Sequence, residues 1–570
     1  MRIEKIMASE YDQYLSAVSE SKLIPPFYST HSHARKTLLA EVTENNQTAY
    51  SVYKGKAIRA FLVLKNKEIH NFLVCDMNRF SWTEFFNILD YFFKKTFMSK
   101  IAIRLSGSID LNVQSLFAQN GFEWSESQVI TKKLSYHTAL VLGGGGARGA
   151  YQVGVWQALK EVGISFSLIT GTSVGALNGA LIVQDDFEVA KDMWEKIETQ
   201  KILAFPSSKM SVDTLGGLMS QIGAFTVAAI QSNGVSTEPL KRLINNTFSV
   251  KKLNQSTIDF FLVTTEIPSL QEKTIHVNSC ETNQWKKWLL ASASFFPAMA
   301  ATKIADRYYV DGGYGNNVPV DIALNQGATE CIIVDVKGPG VTKSVKVPEN
   351  VNCLTLKTPW SMGAVLLFDS VRSSENIQLG YLETLKAFGK YSGYWYTFQE
   401  DFSKINQLGK QFMQYIEKAY RLNVLHSPEK VKKICQKLRN IYKDRVYLEN
   451  IGLVLLELLA KNDAILATKI YTINELVTLL KVKWEEKIEE IEETEEVGLI
   501  SVQEWLKKYY EDYFLLSEKQ QLKLLTELLH QESEIETTQK QSKVSSIMDK
   551  LPVQLLQVLF KEFIKQGVWE

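Results

Sequence analysis

Three glycine-rich segments in the middle of this chain carry residue types from which acyl-transfer chemistry can be built. One is Gly171-Thr172-Ser173-Val174-Gly175, which follows the apolar run Phe166 to Thr170 and precedes Ala176-Leu177-Asn178-Gly179-Ala180. A serine framed by glycines between a strand and a helix is a nucleophile elbow. Small neighbours allow the tight turn, the turn lifts Oγ clear, and the helix N-terminus favours the anion that develops there. The five-residue pattern alone is modest evidence, and its strand–turn–helix setting gives it weight. A serine hydroxyl also needs a base before it becomes a nucleophile.

The best-placed base is Asp311, in Tyr309-Val310-Asp311-Gly312-Gly313-Tyr314-Gly315-Asn316-Asn317-Val318-Pro319. Asp-Gly-Gly by itself reads as a turn, with Asp311 closing an Asx-turn and Asn317 acting as a cap. Here it follows a short strand in the same region as the serine elbow. A histidine base is the alternative. The chain has seven histidines: His31, His33, His70, His137, His276, His426 and His530. Only His426 and His530 follow Asp311, both in a charged helical stretch, and His276 lies on a polar run without a glycine turn. A Ser173–Asp311 dyad is the better reading.

The third segment, Leu142-Gly143-Gly144-Gly145-Gly146-Ala147-Arg148-Gly149, joins the strand-like Ala139 to Leu142 to the helical Tyr151 to Val162. Consecutive glycines let the backbone come close to a ligand, and their N–H groups can converge on a negative oxygen. Gly144, Gly146 and Gly149 also fit the dinucleotide fingerprint, which expects an acid at the end of the next strand. That strand ends instead in Ile169-Thr170 and enters the serine elbow. No Gly-Lys-Ser/Thr follows for a phosphate loop. What remains is a loop whose N–H groups can point at a negative oxygen.

These turns need a scaffold, and the surrounding pattern supplies one. Ala139 to Leu142, Phe166 to Thr170, Phe260 to Thr264 and Cys331 to Val336 are buried-type strands alternating with helices, which predicts a mostly parallel sheet covered by helices. Residues 1–135 read as a small α+β unit. Its strands are expected at 58–64, 69–75, 100–105 and 129–134, and its helices at 82–97 and 113–119. Beyond about residue 360 helices dominate.

The 570 residues are 45% hydrophobic and 22% charged, the balance of a globular chain, and the net charge of +1 gives no global field toward nucleic acid. Five scattered cysteines without CxxC spacing argue against a disulfide framework and a cysteine zinc site, and for a reducing compartment. No His/Asp/Glu cluster has ligand spacing, so neither metal nor cofactor is expected. The start has no apolar signal region and no apolar run reaches spanning length. A cytoplasmic location is expected, with membrane contact at most peripheral. Two segments could touch lipid: the 24 uncharged residues between Asp213 and Glu238, and the helix bearing Lys430, Lys432, Lys433, Lys437, Arg439 and Lys443. A buried helix pair and a solvated bundle face are the favoured readings of the two.

Taken in order, the tetraglycine loop, Gly-Thr-Ser-Val-Gly and Asp-Gly-Gly resemble the patatin-like phospholipase family over about residues 136–340. Ala291-Ser292-Ala293-Ser294-Phe295-Phe296-Pro297 and Thr237-Glu238-Pro239-Leu240-Lys241-Arg242-Leu243-Ile244 add to the likeness. The resemblance implies a three-layer α/β core and a serine lipid acyl hydrolase of the phospholipase A or lysophospholipase type, acting on phospholipid or another fatty-acyl ester. Ser173 is then the nucleophile and Asp311 the base. The oxyanion hole falls to Gly144, Gly145, Gly146 and Arg148, joined by the N–H of Val174. Gly149, Gly171, Gly175, Gly312 and Gly313 support the motifs.

Residues 1–135 are similar to the N-acetyltransferase fold. Val74-Cys75-Asp76-Met77-Asn78-Arg79-Phe80 lacks the glycine which that family sets against pyrophosphate, so this unit is expected to be non-catalytic. The expected division is therefore 1–135, a catalytic α/β domain at 136–340, a helical extension at 341–400, and an α-helical domain at 401–570. An acyltransferase or thioesterase would use the same dyad. A non-catalytic lipid- or partner-binding scaffold is the reading of another class, and the intact motifs speak against it. No nucleic-acid partner is expected, and no motif points to a protein partner.

Overall fold

In the computed structural model of the chain, residues 1–6, 22–23, 47–75, 79–104, 111–124, 129–202, 236–281, 284–422, 427–443, 446–486, 513–530, 544–545 and 547–567 are described. Nearly all of the uncharged segment between Asp213 and Glu238 lies outside them, as does His426. The chain divides into two compact units, Met1–Thr384 and Leu385–Glu570.

The first unit holds two sheets. The N-terminal sheet comprises β1 (Arg2–Lys5), β2 (Lys22–Leu23), β3 (Gln47–Lys54), β4 (Ala57–Lys65), β5 (Glu68–Val74), β6 (Lys100–Arg104), β7 (Glu123–Trp124) and β8 (Val129–Lys133). Their order is β1-β3-β4-β5-β6-β8-β7, with β2 beside β5. Helix α1 (Trp82–Lys94) starts at Ser81, whose hydroxyl accepts the Glu84 N–H, and buries Phe85, Phe86, Leu89 and Phe93. That spacing is one stripe of a 3.6-residue helix laid on the sheet. Helix α2 (Leu111–Gln119) follows β6.

The central sheet comprises β9 (Thr138–Leu142), β10 (Leu168–Thr172), β11 (Asp259–Ile267), β12 (Gln271–His276), β13 (Thr302–Ile304), β14 (Arg307–Asp311), β15 (Glu330–Val334) and β16 (Asn352–Leu356). Its order is β13-β14-β11-β10-β9-β15-β16. The five strands from β11 to β16 along this path are parallel, while β12 and β14 run antiparallel to β11. The strands β9, β10 and β15 are buried at every residue, as strands covered on both faces must be. Helices α3 (Ala150–Glu161), α4 (Val174–Val183), α5 (Phe187–Glu195), α6 (Glu238–Thr247), α7 (Val250–Gln255), α8 (Trp285–Ser292), α9 (Val320–Asn325) and α10 (Ser370–Ala387) complete the layers. Val320, Ile322 and Ala323 of α9 pack on Ala139, Val141, Cys331 and Ile333. The stretch 341–400, expected to be helical, contains β16 and an irregular run before α10 begins.

The second unit is a helical bundle of α11 (Phe402–Tyr420), α12 (Pro428–Tyr442), α13 (Ile451–Asn462), α14 (Ile473–Glu486), α15 (Glu518–His530) and α16 (Pro552–Lys565), with a short strand pair at Thr397–Phe398 and Ile470–Tyr471. Helix α12 buries Ile434, Cys435, Leu438 and Tyr442 and leaves Lys430, Lys432, Lys433 and Lys437 exposed. Helix α13 is buried at every residue from Ile451 to Ala460, Glu457 included.

Candidate active site

The sheet topology delivers the serine and the acid to one point. Parallel β10 ends at Thr172, one residue before Ser173, and antiparallel β14 ends at Asp311. Both lie on the same edge of β11 and run toward each other: Thr172 is in register with Val263, and Asp311 with the next residue, Thr264. Two strands meeting head-on along a third bring together residues far apart in sequence.

Ser173 has a φ of 56° and a ψ of −123°. A non-glycine residue held there stores about 1–3 kcal/mol, so its surroundings must over-determine it. Its N–H donates to Ser292 Oγ at 3.0 Å, and the Ser292 hydroxyl donates to Val263 O at 2.6 Å. Thr172 Oγ1 donates to Asn316 O at 2.8 Å. A Cβ on Gly175 would sit 2.1 Å from Leu142 O, and one on Gly171 2.5 Å from Gly175 O, so the helix can start this close to the sheet only with glycine at both.

Asp311 is 3% exposed. Its Oδ1 accepts the Gly313 N–H at 2.8 Å and its own N–H donates to Ser294 O at 2.9 Å, while its carboxylate lies near enough to the Ser173 hydroxyl to be stabilised by it. Burial lifts the carboxyl from 3.8 to about 6, with the Ser173 hydroxyl and the Gly313 N–H pulling part of the way back.

The tetraglycine loop is tied down on most sides. Gly143 N–H donates to Val334 O at 3.1 Å and Gly144 N–H to Asn317 O at 3.0 Å. Asn317 Nδ2 returns bonds to Gly144 O and Gly338 O, each 3.3 Å. Ala147 N–H donates to Val365 O at 2.7 Å, and the Arg148 guanidinium donates to Gly363 O at 2.8 Å and to Lys337 O. Gln152 Nε2 holds Gly143 O at 2.7 Å, and Asn178 links Gln152, Gly149 O and Trp194 Nε1 in one buried ladder. The N–H groups of Gly145, Gly146 and Val174 have no acceptor among the described residues. All three residues line the cavity that holds Ser173 and Asp311.

That cavity spans about 770 Å³, part of it open to solvent. Leu177, Trp194, Leu240, Phe248, Phe295 and Phe368 form much of its wall, and Asp311 is the one charged residue among the described lining. The site residues anticipated from the motifs thus separate. Ser173, Asp311, Gly145, Gly146 and Val174 share the cavity, whereas the Gly144 N–H is engaged by Asn317 and the Arg148 side chain by two carbonyls. Gly149, Gly171, Gly175, Gly312 and Gly313 serve as close-packing points. Ser292, Asn317, Gln152, Asn178 and the 363–368 run hold the site without any local signal of their role. His276 lies on β12 with Nε2 3.2 Å from Asp259 and its ring stacked on Phe261, and His137 pairs with Ser167; neither lines the cavity. Among the described residues no group of three or more His, Cys, Asp or Glu could hold a metal, and no helix is long and apolar enough to cross a membrane.

The sequence profile of the patatin-like phospholipase family matches residues 140–324, from β9 to α9. The chain is 31% identical over 210 residues to patatin-like phospholipase domain-containing protein 7 of Rattus norvegicus, covering 35% of this chain and 13% of that protein. It is 29% identical over 235 residues to patatin-like phospholipase domain-containing protein 6 of Mus musculus, covering 39% and 15% respectively. It is 28% identical over 221 residues to lysophospholipase nte1 of Aspergillus terreus, covering 38% and 13%. The chain therefore spans only a small part, 13–15%, of these relatives' own length. Over that part, which holds all three glycine-rich turns and the strands that align them, residues 140–324 match the patatin-like phospholipase family.

Proposed function

We propose that this chain is a serine lipid acyl hydrolase of the phospholipase A or lysophospholipase type, with Ser173 as nucleophile and Asp311 as base. The observation that carries this reading is that Ser173, on its strained turn, and the buried carboxylate of Asp311 line one apolar cavity, with the hydroxyl near enough to stabilise the carboxylate. A carboxylate is a weak base toward a hydroxyl, and desolvation raises its appetite for the proton. Asp311 takes the Oγ proton as Oγ attacks the ester carbonyl. The oxyanion rests against the N–H groups of Gly145, Gly146 and Val174, each worth about 2.7–4 kcal/mol of barrier by analogy with other such donors. Asp311 then gives its proton to the departing alcohol. Water, deprotonated by Asp311, attacks the Ser173 acyl ester and releases the fatty acid. The acyl chain lies along the wall of Leu177, Leu240, Phe248 and Phe295. Related proteins named as phospholipase and lysophospholipase over the matched region support the substrate class. Lipid is met by peripheral contact with a membrane surface.

A fluorophosphonate probe tests this directly. The expected result is an adduct on Ser173, located by mass spectrometry and absent in Ser173→Ala, with fatty acid released from lysophospholipid or phospholipid. Asp311→Asn is expected to lose turnover with its circular dichroism intact. Near-wild-type turnover in that variant would overturn the dyad. Transfer of the acyl group to an added alcohol or thiol in preference to water would make the enzyme an acyltransferase. Lipid binding without labelling would make the site a scaffold.

A further inference from the structure

Five cysteines are free, and two of them face each other. Cys331 on β15 and Cys353 on β16 are register partners in neighbouring parallel strands. Such strands lie about 4.8 Å apart, within the Cα separation of about 4.4–6.8 Å that a disulfide spans. Both side chains belong to the same packed cluster on one face of the sheet. The two thiols are close enough for each to shift the other's titration.

We infer that Cys331 and Cys353 form an oxidisable dithiol, a modification site that closes reversibly to a disulfide between β15 and β16. Cys331 is fully buried and Cys353 partly exposed, so oxidant enters at Cys353. The neighbouring Cys331 thiol favours the thiolate at Cys353, while Cys353 and burial together hold the proton on Cys331. The Cys353 thiolate attacks one sulfur of a small disulfide, RSSR, and expels RSH after protonation. Cys331 loses its proton to solvent and attacks the mixed disulfide at the Cys353 sulfur, expelling the second RSH. Two protein thiols are oxidised by two electrons, and RSSR is reduced to two RSH.

The location gives the bridge something to act on. The preceding rung, Glu330 opposite Asn352, carries the clasp to the end of helix α1: Lys94 Nζ lies 3.2 Å from Glu330, and Asn352 Nδ2 donates to Lys94 O at 3.2 Å. Downstream, β15 leads to Pro339 and β16 to Val365, both on the Ser173 cavity wall. This inference does not depend on the proposed lipid chemistry.

The test is exposure of the folded full-length chain to excess oxidised glutathione, followed by alkylation and non-reducing tryptic mapping. Lys337, Lys343 and Lys346 lie between the two cysteines, so their peptides separate unless bridged. The expected result is a Cys331–Cys353 cross-linked peptide that dithiothreitol abolishes, with Cys331→Ser trapping glutathione on Cys353. Wild-type protein that keeps glutathione on Cys353 while Cys331 stays alkylatable would overturn the inference. So would Cys353 remaining unmodified in both proteins while Cys75 or Cys280 reacts. Matching thermal melts of the variant and wild type establish that the comparison is between folded proteins.

Discussion

Asp311 shows how one buried side chain can be set against itself. Its carboxyl titrates at about 6 because burial penalises the charge that catalysis needs. The base must be ionised, so kcat/KM is expected to rise with pH, reach half its plateau near 6 and level off above about 7. A profile flat from pH 5 to 8 would remove Asp311 as the base. The same displacement acts on stability with the opposite sense. The folded pKa lies above the unfolded one, so the stabilisation is complete below about pH 4 and is lost as pH rises through about 6. The move from 3.8 to about 6 corresponds to about 3 kcal/mol. Asp311→Asn, neutral throughout, is therefore expected to match wild type at pH 4 and to exceed it by up to about 3 kcal/mol at pH 8, though without turnover. Urea unfolding at the two pH values reads the difference. An equal gap at both would show that the carboxyl is not shifted.

At the scale of elements, the site is the meeting of β10 and β14 along β11, and the elbow between them is strained. Ser292 at the end of α8 is what holds it, by accepting the Ser173 N–H and anchoring on Val263 O. Ser292→Ala leaves a buried N–H without a partner, a loss of about 1–3 kcal/mol. The slackened elbow is also expected to slow fluorophosphonate labelling of Ser173 by tenfold or more. Labelling at the wild-type rate in a protein with a lowered denaturation midpoint would confine Ser292 to a structural role. Nothing local announces this residue, since its partner lies on another strand of the sheet. The contrast shows what the sequence could tell. Gly171 to Gly175 and Asp311 to Gly313 were legible because their turns are written in adjacent residues. The strands Thr138–Leu142 and Glu330–Val334 were legible as apolar runs. Strand Gln271–His276 alternates polar residues on a sheet edge, and Asn352–Leu356 is only partly buried, so neither stands out as an apolar run. The Gly144 N–H and the Arg148 guanidinium looked available because the carbonyls that engage them, on Asn317, Lys337 and Gly363, lie more than 150 residues away in sequence.

Across the whole molecule, the second unit presents the same tension between charge and burial without any catalytic motif to explain it. Helix α13 is an apolar core helix in which Glu457 is the one charged residue between Ile451 and Ala460, and it is 0% exposed. Its carboxylate organises the chain that precedes the bundle. Oε1 accepts the N–H groups of Tyr394 and Tyr396 at 2.9 and 3.0 Å, and Oε2 accepts the Trp395 N–H at 2.9 Å together with the Tyr442 hydroxyl. Each oxygen therefore meets two donors. Glutamine is no substitute, because its amide would turn two further hydrogens toward two of those donors. Glu457→Gln is accordingly expected to destabilise residues 385–570 about as severely as Glu457→Ala, on the order of 3–5 kcal/mol. Hydrogen exchange at the amides of Tyr394, Trp395 and Tyr396 gives the local readout, and all three are expected to lose protection in both variants. A glutamine variant that keeps wild-type protection there would mean that the carboxylate's charge and its second acceptor oxygen are dispensable, leaving the apolar packing of Ile451 to Ala460 as what holds this unit together.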